Sequence, residues 1–271
     1  MKPHWLPWTN LQQLSQDHYS NMGSVKMTDT SNTSIQRAEI ELDSLSFSYR
    51  NQLILDNISF KLEAGESAAL IGANGSGKST LLSILSGVRK CSKNNASFKL
   101  TKSDKTVDLF KDRKSAAKYI GYVPQDDPLM PELTVKDNLL LWSDSPASRL
   151  SELLEGPALK ALDISTFLNK PVKALSGGMR RRVTIACAMI NSPDILILDE
   201  PASALDLNFR AEIRNYLDEF HRLGGTFILS THDEADLDIC NKILLLKDCH
   251  LSAVPNDLRG DKLLEQLKKS N

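Results

Sequence analysis

The chain has 271 residues, of which 41% are hydrophobic and 25% are charged, and its formal net charge is −1. This composition suits a globular protein with a sizeable core, and it excludes an electrostatic attraction of the whole chain to nucleic acid or anionic lipid. No stretch approaches the roughly 20 apolar residues that a membrane span needs. The N-terminus lacks the apolar segment of a signal peptide, and the four cysteines show no paired metal-binding spacing, which together favour a reduced, cytosolic protein.

The first ordered segments are predicted to be strands. Residues 9–34 are rich in Ser, Thr, Asn and Gln with few apolar anchors, so we expect a disordered tail over residues 1–36. Apolar residues alternate with polar ones over 40–49, and residues 53–62 form a second strand-like stretch. Gly65 then closes a turn before a third, short apolar strand at 66–71.

A phosphate-binding P-loop (residues 72–79) follows the third strand and opens a helix predicted over 78–85. Its backbone N–H groups and the helix N-terminus can therefore face phosphate oxygens. The glycines let the loop wrap an anion closely, Lys78 can reach the terminal phosphates, and the Ser79 hydroxyl can ligate Mg²⁺. The expected nucleotide-binding residues of this segment are Gly72, Asn74, Gly75, Ser76, Gly77, Lys78, Ser79 and Thr80.

The middle of the chain is predicted to be exposed at first and then helical. Residues 90–118 are polar and lysine-rich, and we expect exposed strands and loops with a solvated face. Residues 119–123 form a short apolar strand, and Gln125 follows it with a side-chain carbonyl suited to Mg²⁺ and water. Residues 132–190 are predicted to be mostly helical, as an insertion into a sheet. The expected breaks in this block fall at Pro146, Gly156, Pro157 and Pro171.

Two carboxylates follow the compact apolar strand predicted at 195–198. An apolar strand that delivers acids at its C-terminal end is the Walker B arrangement, because ligands bind beyond the carboxyl ends of strands in open α/β sheets. We expect Asp199 to hold Mg²⁺ and Glu200 to polarise the attacking water as a general base. The structural alternative is two surface acids at the start of a loop, and the accompanying P-loop favours the functional interpretation.

The last predicted strands lie at 226–229 and 243–246. His232 follows the first of them by three residues, where it can contact a γ-phosphate. Strands that alternate with helices predict an α/β fold with a mostly parallel sheet covered on both faces. Residues 261–269 are a candidate for an amphipathic helix within a C-terminal tail at 256–271.

Taken in this order, these features closely resemble the ATP-binding subunit of ABC transporters. The added evidence is Leu175-Ser176-Gly177-Gly178-Met179, which resembles the family's signature motif, although the family usually has Gln at the last position. Ser176 and the N–H groups of Gly177 and Gly178 would form a second anion cradle at a helix start. The structural alternative is an ordinary helix capped by Ser176. The resemblance covers roughly residues 38–250, and residues 91–118 lack the glycine turn that is common there in the family.

The resemblance implies a P-loop NTPase core with an N-terminal antiparallel β subdomain and an inserted helical signature subdomain at about 126–190, all within an ATP-binding domain at 37–255. It also implies that two subunits pair head to tail, so that each ATP lies between the P-loop of one subunit and the signature segment (residues 175–178) of the other. The roles that it assigns are adenine stacking for Tyr49, a metal-ligating glutamine loop for Gln125, a D-loop residue for Asp206, the catalytic carboxylate for Glu200 and the switch histidine for His232.

The activity that the resemblance implies is ATP hydrolysis with Mg²⁺, coupled to transport by separate integral membrane permease subunits. A second ATP-binding subunit is the other expected partner, nucleic acid is not expected, and the location would be cytoplasmic, on the cytoplasmic face of a membrane. Leu129, Met130 and Leu133 are expected to face the permease, with packing inside the helical block as the alternative for each. Parts of the chain resemble exporters of the two-component type.

Three rival interpretations follow from the same residues. One is a non-transport ABC ATPase that acts mechanically on a soluble partner. The second is a P-loop kinase or GTPase, but the Asn-Lys-x-Asp base reader of GTPases is absent from the sequence, and a kinase would not need the signature segment. The third, an inactive binding subunit, is disfavoured because Lys78, Glu200 and His232 are all present.

Overall fold

The computed structural model describes residues 38–90, 96–203 and 205–255. The tails predicted at 1–36 and 256–271, with the helix candidate at 261–269, lie outside these ranges. Among the residues that are described, the helices are all too short or too polar to cross a membrane.

Ten strands in the described ranges form two sheets. In chain order they are β1 (Glu39–Tyr49), β2 (Gln52–Leu62), β3 (Ala68–Ile71), β4 (Ser97–Lys102), β5 (Lys105–Asp108), β6 (Ile120–Val123), β7 (Ile195–Asp199), β8 (Thr226–Ser230), β9 (Lys242–Lys247) and β10 (His250–Val254). The four-stranded sheet is antiparallel in the order β2-β1-β4-β5, and the six-stranded sheet has the order β10-β9-β3-β8-β7-β6. In the larger sheet all neighbours are parallel except β10, which pairs antiparallel with β9. The predicted α/β class with a mostly parallel sheet is confirmed.

Within the described residues, seven α-helices connect and cover these strands. They are α1 (Lys78–Leu85), α2 (Arg113–Tyr119), α3 (Val135–Trp142), α4 (Leu150–Leu154), α5 (Pro157–Lys160), α6 (Gly177–Met189) and α7 (Leu207–Arg222). Short 3-10 turns occur at Ala147–Arg149, Ile164–Phe167, Val172–Ala174 and Glu234–Asp236. Pro146 and Pro171 stand immediately before two of these turns and Gly156 immediately before α5, so the interruptions lie where proline and glycine predicted them.

The six-stranded sheet is covered on both faces because its side chains alternate. Ala68 and Leu70 of β3 pack with α1 and the antiparallel sheet in one core, whereas Ala69 and Ile71 pack in a second core with the middle helices and α7. Successive strand residues point to opposite faces, so β3 contributes to both cores.

The expectation of exposed strands and loops over 90–118 is wrong for part of this segment. Phe98 and Leu100 are fully buried on β4, while Lys99 between them is half-buried and pairs with Glu41. Strand alternation explains this, since every second residue reaches the core even where lysines dominate the composition. Tyr119 ends helix α2, which was not predicted, and β6 begins one residue later.

Candidate functional site

The carboxyl ends of four parallel strands lie at one edge of the six-stranded sheet. The P-loop leaves β3, Gln125 follows β6, Glu200 follows β7, and His232 follows β8. In such a sheet the crevice beyond the strand ends is where ligands bind. The fold therefore brings the predicted catalytic and phosphate-binding segments to the same edge.

The P-loop is pressed against its neighbours at two glycines and is open at a third. A Cβ on Gly72 would lie 2.4 Å from the backbone oxygen of Leu246, and one on Gly77 would lie 2.8 Å from Cγ2 of Ile54. Gly75 has a φ of +79°, and none of the described atoms outside its own neighbourhood in the chain lies within 4 Å of the Cβ position. The loop thus needs glycine for close packing and for a left-handed backbone, and the space at Gly75 can admit a ligand.

Lys78 is buried beneath the loop. Its Nζ donates to the backbone oxygens of Gly72, at 2.8 Å, and Ala73, at 3.2 Å. Burial lowers the pKa of Lys78, and the nearby carboxylates of Glu200 and Asp199 oppose that shift. A cation held by carbonyl dipoles at the floor of the loop is suited to an anionic ligand, which would complete its charge balance.

Other groups of the loop also have unused capacity for an anion. Helix α1 begins at the N-cap Gly77 without a side-chain cap and without an acidic residue in its first turn. The Oγ atom of Ser76 is buried and has no hydrogen-bond partner among the described residues, and Ser79 is exposed. Free N–H groups and an unpaired buried hydroxyl fit a polyphosphate that supplies several acceptor oxygens.

Ser230 joins the two carboxylate residues. Its Oγ donates to Oδ1 of the buried Asp199 at 2.7 Å and accepts from the backbone N–H of Glu200 at 2.9 Å. Glu200 has a φ of +45°, the left-handed region that non-glycine residues seldom occupy. Such strain is commonly found at functional sites, where the surroundings hold the backbone in place.

The side chains of two predicted site residues, Gln125 and His232, lie next to the carboxylate of Glu200. Its Oε1 lies 3.3 Å from Nε2 of His232, and its Oε2 lies 3.5 Å from Nε2 of Gln125. Each of these residues comes from the end of a different strand, so the carboxylate is bracketed by one neighbour on either side. This arrangement can orient a water molecule beside a reactive phosphate.

The residues expected to hold Mg²⁺ offer oxygen atoms, as that ion requires. They are the Ser79 hydroxyl, the Gln125 amide and the Asp199 carboxylate, and Asp199 is close enough to Lys78 to influence its pKa. Over the described ranges, groups of three or more His, Cys, Asp or Glu that could hold a metal do not occur. The donor set therefore fits an ion that shares its coordination with phosphate oxygens and water rather than one caged by the protein.

Tyr49 ends β1, and its ring is 40% exposed. Its hydroxyl lies 3.4 Å from Oγ1 of Thr80, and Phe47 meets the ring edge-on at a centroid distance of 5.0 Å. The guanidinium of Arg89 lies 4.8 Å from the ring centroid, which is a cation–π contact. The aromatic ring is thus held beside the first turn of the P-loop helix with a substantial surface left open.

The signature segment forms the start of α6, where Ser176 caps the helix, Gly178 is fixed by packing and Gly177 is open. Ser176 is the N-cap, and its Oγ accepts from the backbone N–H of Met179 at 3.3 Å. A Cβ on Gly178 would lie 2.6 Å from the ring of Phe209, so packing of α6 on α7 requires glycine there. Gly177 is open, since a Cβ there would have only Leu205 Cδ2, at 3.9 Å, within 4 Å among the described atoms that it could newly contact. Leu175 is buried.

Asp206 caps the next helix. Its Oδ1 accepts from the backbone N–H of Phe209 at 3.0 Å, at the start of α7. This gives the predicted D-loop residue a local structural task and places it beside the signature segment, because Phe209 also packs on Gly178.

One expectation for the surface near the loop that contains Gln125 is wrong. Leu129 is only 8% exposed and belongs to the core beneath the middle helices, whereas Met130 and Leu133 are exposed as expected. Leu141 on α3 is exposed as well. The apolar surface on this part of the chain is therefore formed by Met130, Leu133 and Leu141.

Three residues that contact the site were missed from the sequence. They are Arg89, which lies over the ring of Tyr49, Arg181, whose side chain donates to backbone oxygens of Gln125, Asp199 and Glu200, and Ser230. Arg181 stands between two other arginines in the sequence. Its burial could be inferred only from its helical spacing to Gly178 and Ile185, which lie on the same face of α6. The role of Ser230 depends on the pairing of β7 with β8, which no local pattern specifies.

Comparison with known proteins gives a consistent result. Residues 55–203 match the family model described as "ABC transporter". The chain is similar to Nod factor export ATP-binding protein I from Sinorhizobium fredii, with 36% identity over 212 residues, which are 77% of this chain and 60% of that protein. The chain therefore spans less than two thirds of the length of that relative.

Two solved structures are also similar. One is a dimeric ATP-binding cassette in a post-hydrolysis state bound to ADP and Pi, with a TM-score of 0.65, 27% identity and coverage of 80% of this chain and 99% of that one. The other is an ATP-binding subunit of an ABC transporter, with a TM-score of 0.71, 26% identity and coverage of 84% and 99%.

Proposed function

The chain belongs to the ABC transporter family, and from this membership we propose that it is the ATP-hydrolysing subunit of a transporter whose membrane permease is a separate protein. The observation that carries the proposal is the meeting of Gln125, Glu200 and His232 at the sheet edge that also holds the P-loop. The ATP-binding domain would span residues 37–255, with its helical subdomain at about 126–190.

In this proposal ATP binds with its phosphates on the P-loop and its adenine on the exposed ring of Tyr49. Lys78 contacts the terminal phosphates, and the backbone N–H groups at the uncapped start of α1 donate hydrogen bonds to phosphate oxygens. The Ser76 hydroxyl gains the hydrogen-bond partner that it lacks in the chain itself. Ser79, Gln125 and Asp199 would hold Mg²⁺, which neutralises phosphate charge when bound.

Hydrolysis then depends on Glu200 and its two neighbours. Glu200 takes a proton from water while the water oxygen bonds to the γ-phosphorus and the bond from phosphorus to the bridging oxygen breaks, which yields ADP and inorganic phosphate. His232 and Gln125 hold the carboxylate in place. His232 is also positioned to contact the γ-phosphate itself.

The signature segment is proposed to act on ATP held by a second copy or a related chain. The P-loop packs beside Leu246 and Ile54, whereas the signature segment packs beside Leu205 and Phe209, so the two cradles have separate surroundings. The dimeric state of a similar cassette with ADP and Pi supports a composite site. A charge-assisted hydrogen bond contributes about 1.5–3 kcal/mol. A few such bonds would together reach the ~5.5 kcal/mol that reverses a two-state equilibrium almost completely.

The permease would contact the exposed apolar surface of Met130, Leu133 and Leu141, at the cytoplasmic face of the membrane. Met130 and Leu133 follow Gln125 by five and eight residues, which would let a permease bound there sense the nucleotide site. The export role named for the similar Sinorhizobium protein supports export as the direction. It also favours transport over the alternative of a mechanical ATPase with a soluble partner.

The test of hydrolysis is the substitution Glu200→Gln, which keeps the size of the side chain and removes its basicity. We expect kcat to fall by roughly 10²–10⁴-fold, as for loss of a general base, while affinity for Mg-ATP is retained. Phosphate release and equilibrium nucleotide binding measure the two quantities.

The matched control is Glu219→Gln on α7, where the carboxylate is one third exposed and pairs only with Arg222 among the described residues. This variant should hydrolyse ATP at the wild-type rate. A Glu200→Gln protein with unchanged kcat would remove Glu200 from the role of base.

A further inference from the structure

Arg181 is an almost fully buried arginine between two half-buried ones. Its side chain is 6% exposed, against 41% for Arg180 and 22% for Arg182. It lies near the start of α6, four residues after Gly177. A fully desolvated guanidinium is costly unless each nitrogen finds an acceptor, so its partners indicate why it is there.

The three nitrogens of Arg181 bind two loops at once. The glutamine loop (residues 124–127) supplies the oxygens of Pro124 at 2.6 Å and Gln125 at 3.4 Å, with Asp127 Oδ1 at 3.4 Å. The glutamate loop (residues 199–201) supplies the backbone oxygens of Asp199 at 3.2 Å, Glu200 at 3.3 Å and Pro201 at 2.7 Å. All three side-chain nitrogens therefore have acceptors.

Asp127 strengthens the link between the glutamine loop and α6. Its Oδ1 accepts from the hydroxyl of Thr184 at 2.9 Å, and its Oδ2 lies 3.9 Å from Nε of Arg180. Burial lowers the pKa of Arg181, and the Asp127 carboxylate opposes that shift. The glutamine loop is thus fastened to the helix by side-chain and backbone contacts together.

We propose that Arg181 is a positioning residue that joins the signature helix to Gln125 and Glu200 of its own subunit. The two loops that it holds carry the side chains that meet at 3.5 Å, and the helix that carries it begins at the signature segment. The inference rests on the proposed function. When the signature segment binds the ATP of a partner subunit and α6 shifts, the Arg181 guanidinium moves with the helix. Its hydrogen bonds then move the loop that carries the Glu200 carboxylate of this subunit.

The geometry requires arginine rather than lysine. A guanidinium presents five N–H donors in one plane and can span two loops, whereas an ammonium group is a single point with three donors. Arg181→Lys should therefore keep the buried charge but release one of the loops. Arg181→Met removes both links while it preserves much of the buried volume.

Hydrogen exchange of the full chain, without nucleotide, tests the link directly. In Arg181→Met we expect backbone N–H groups of residues 125–130 and 200–203 to exchange at least about tenfold faster, which corresponds to a loss of about 1.4 kcal/mol in local stability. Arg181→Lys should show a smaller rise in the same segments. The P-loop, the six-stranded sheet and the control Arg222→Met, a surface arginine paired with Glu219, should be unchanged.

Steady-state hydrolysis gives the second readout. We expect Arg181→Lys to lower kcat by about 10–100-fold with a KM for ATP within about threefold of wild type, because the P-loop does not depend on Arg181. Unchanged loop exchange in a folded variant, or an unchanged kcat, would overturn the proposal. If Arg181→Met does not fold, Arg181→Lys decides it. If the wild-type chain does not hydrolyse ATP, the proposed function fails, while hydrogen exchange still decides the role of Arg181.

Discussion

Lys78 places a positive charge in the protein interior, where it is held by the backbone oxygens of Gly72 and Ala73. Burial lowers its pKa, so the unfolded chain binds this proton more tightly than the folded chain. The free energy of unfolding therefore carries a penalty at neutral pH, which is relieved as pH rises through the folded pKa towards the unfolded value. Bound phosphate would offset that penalty.

The prediction for this residue is that Lys78→Met leaves the nucleotide-free protein at least as stable as wild type but abolishes its response to ATP. For the wild type, Mg-ATP at about 100 times its Kd should add ~2.7 kcal/mol to the free energy of unfolding. Thermal unfolding with and without Mg-ATP measures both effects.

Lys111→Met provides the control for that measurement, since the Lys111 side chain is 82% exposed. It should keep the full stabilisation by ATP. An ATP-dependent rise in Tm that persists in Lys78→Met would contradict the assignment of Lys78 to the phosphate site.

Helix α6 has an N-cap residue with two tasks. Ser176 caps the helix, and it is also the proposed contact to the phosphate of a partner's ATP. Asp and Asn cap helices about as well as Ser, so Ser176→Asp and Ser176→Asn should both fold with stabilities within about 1 kcal/mol of wild type. Only Asp places a negative charge against phosphate, and like charges a few ångströms apart cost on the order of 1–4 kcal/mol. We expect Ser176→Asp to hydrolyse ATP at least about tenfold more slowly than Ser176→Asn.

Thermal unfolding and phosphate release, measured on the same two preparations, separate the two tasks of Ser176. Equal hydrolysis rates in the Asp and Asn variants would mean that Ser176 is only a helix cap. In that case the signature segment would have no part in nucleotide binding.

The elements differ in how well the sequence predicts them. Strand β7 and helix α1 were predicted within a residue or two, since an apolar run that ends in acids and a helix that opens at a glycine loop are strong local patterns. Helix α7 was not predicted, although Ile213, Tyr216, Leu217 and Phe220 repeat at helical spacing on its buried face. The links made by Arg181 and Ser230 could not be predicted, because they depend on how separate elements are packed.

At the scale of the whole molecule, one edge of the six-stranded sheet gathers the phosphate-binding and catalytic residues. The signature segment lies among different residues. Parallel pairing of β6, β7, β8 and β3 gathers the P-loop, the carboxylates and His232. The signature segment instead packs beside Leu205 and Phe209 at the start of α7. A second copy placed head to tail is what would bring the two cradles onto one nucleotide.

Light scattering of the Glu200→Gln chain, with and without Mg-ATP, tests this composite site most directly. We expect the mass to double from 30.1 kDa only when Mg-ATP is present, because ATP that is not hydrolysed keeps the two copies together. Ser176→Asp in the same background should remain a monomer with ATP bound. A Glu200→Gln chain that binds Mg-ATP and stays at 30.1 kDa would contradict a site shared between two copies.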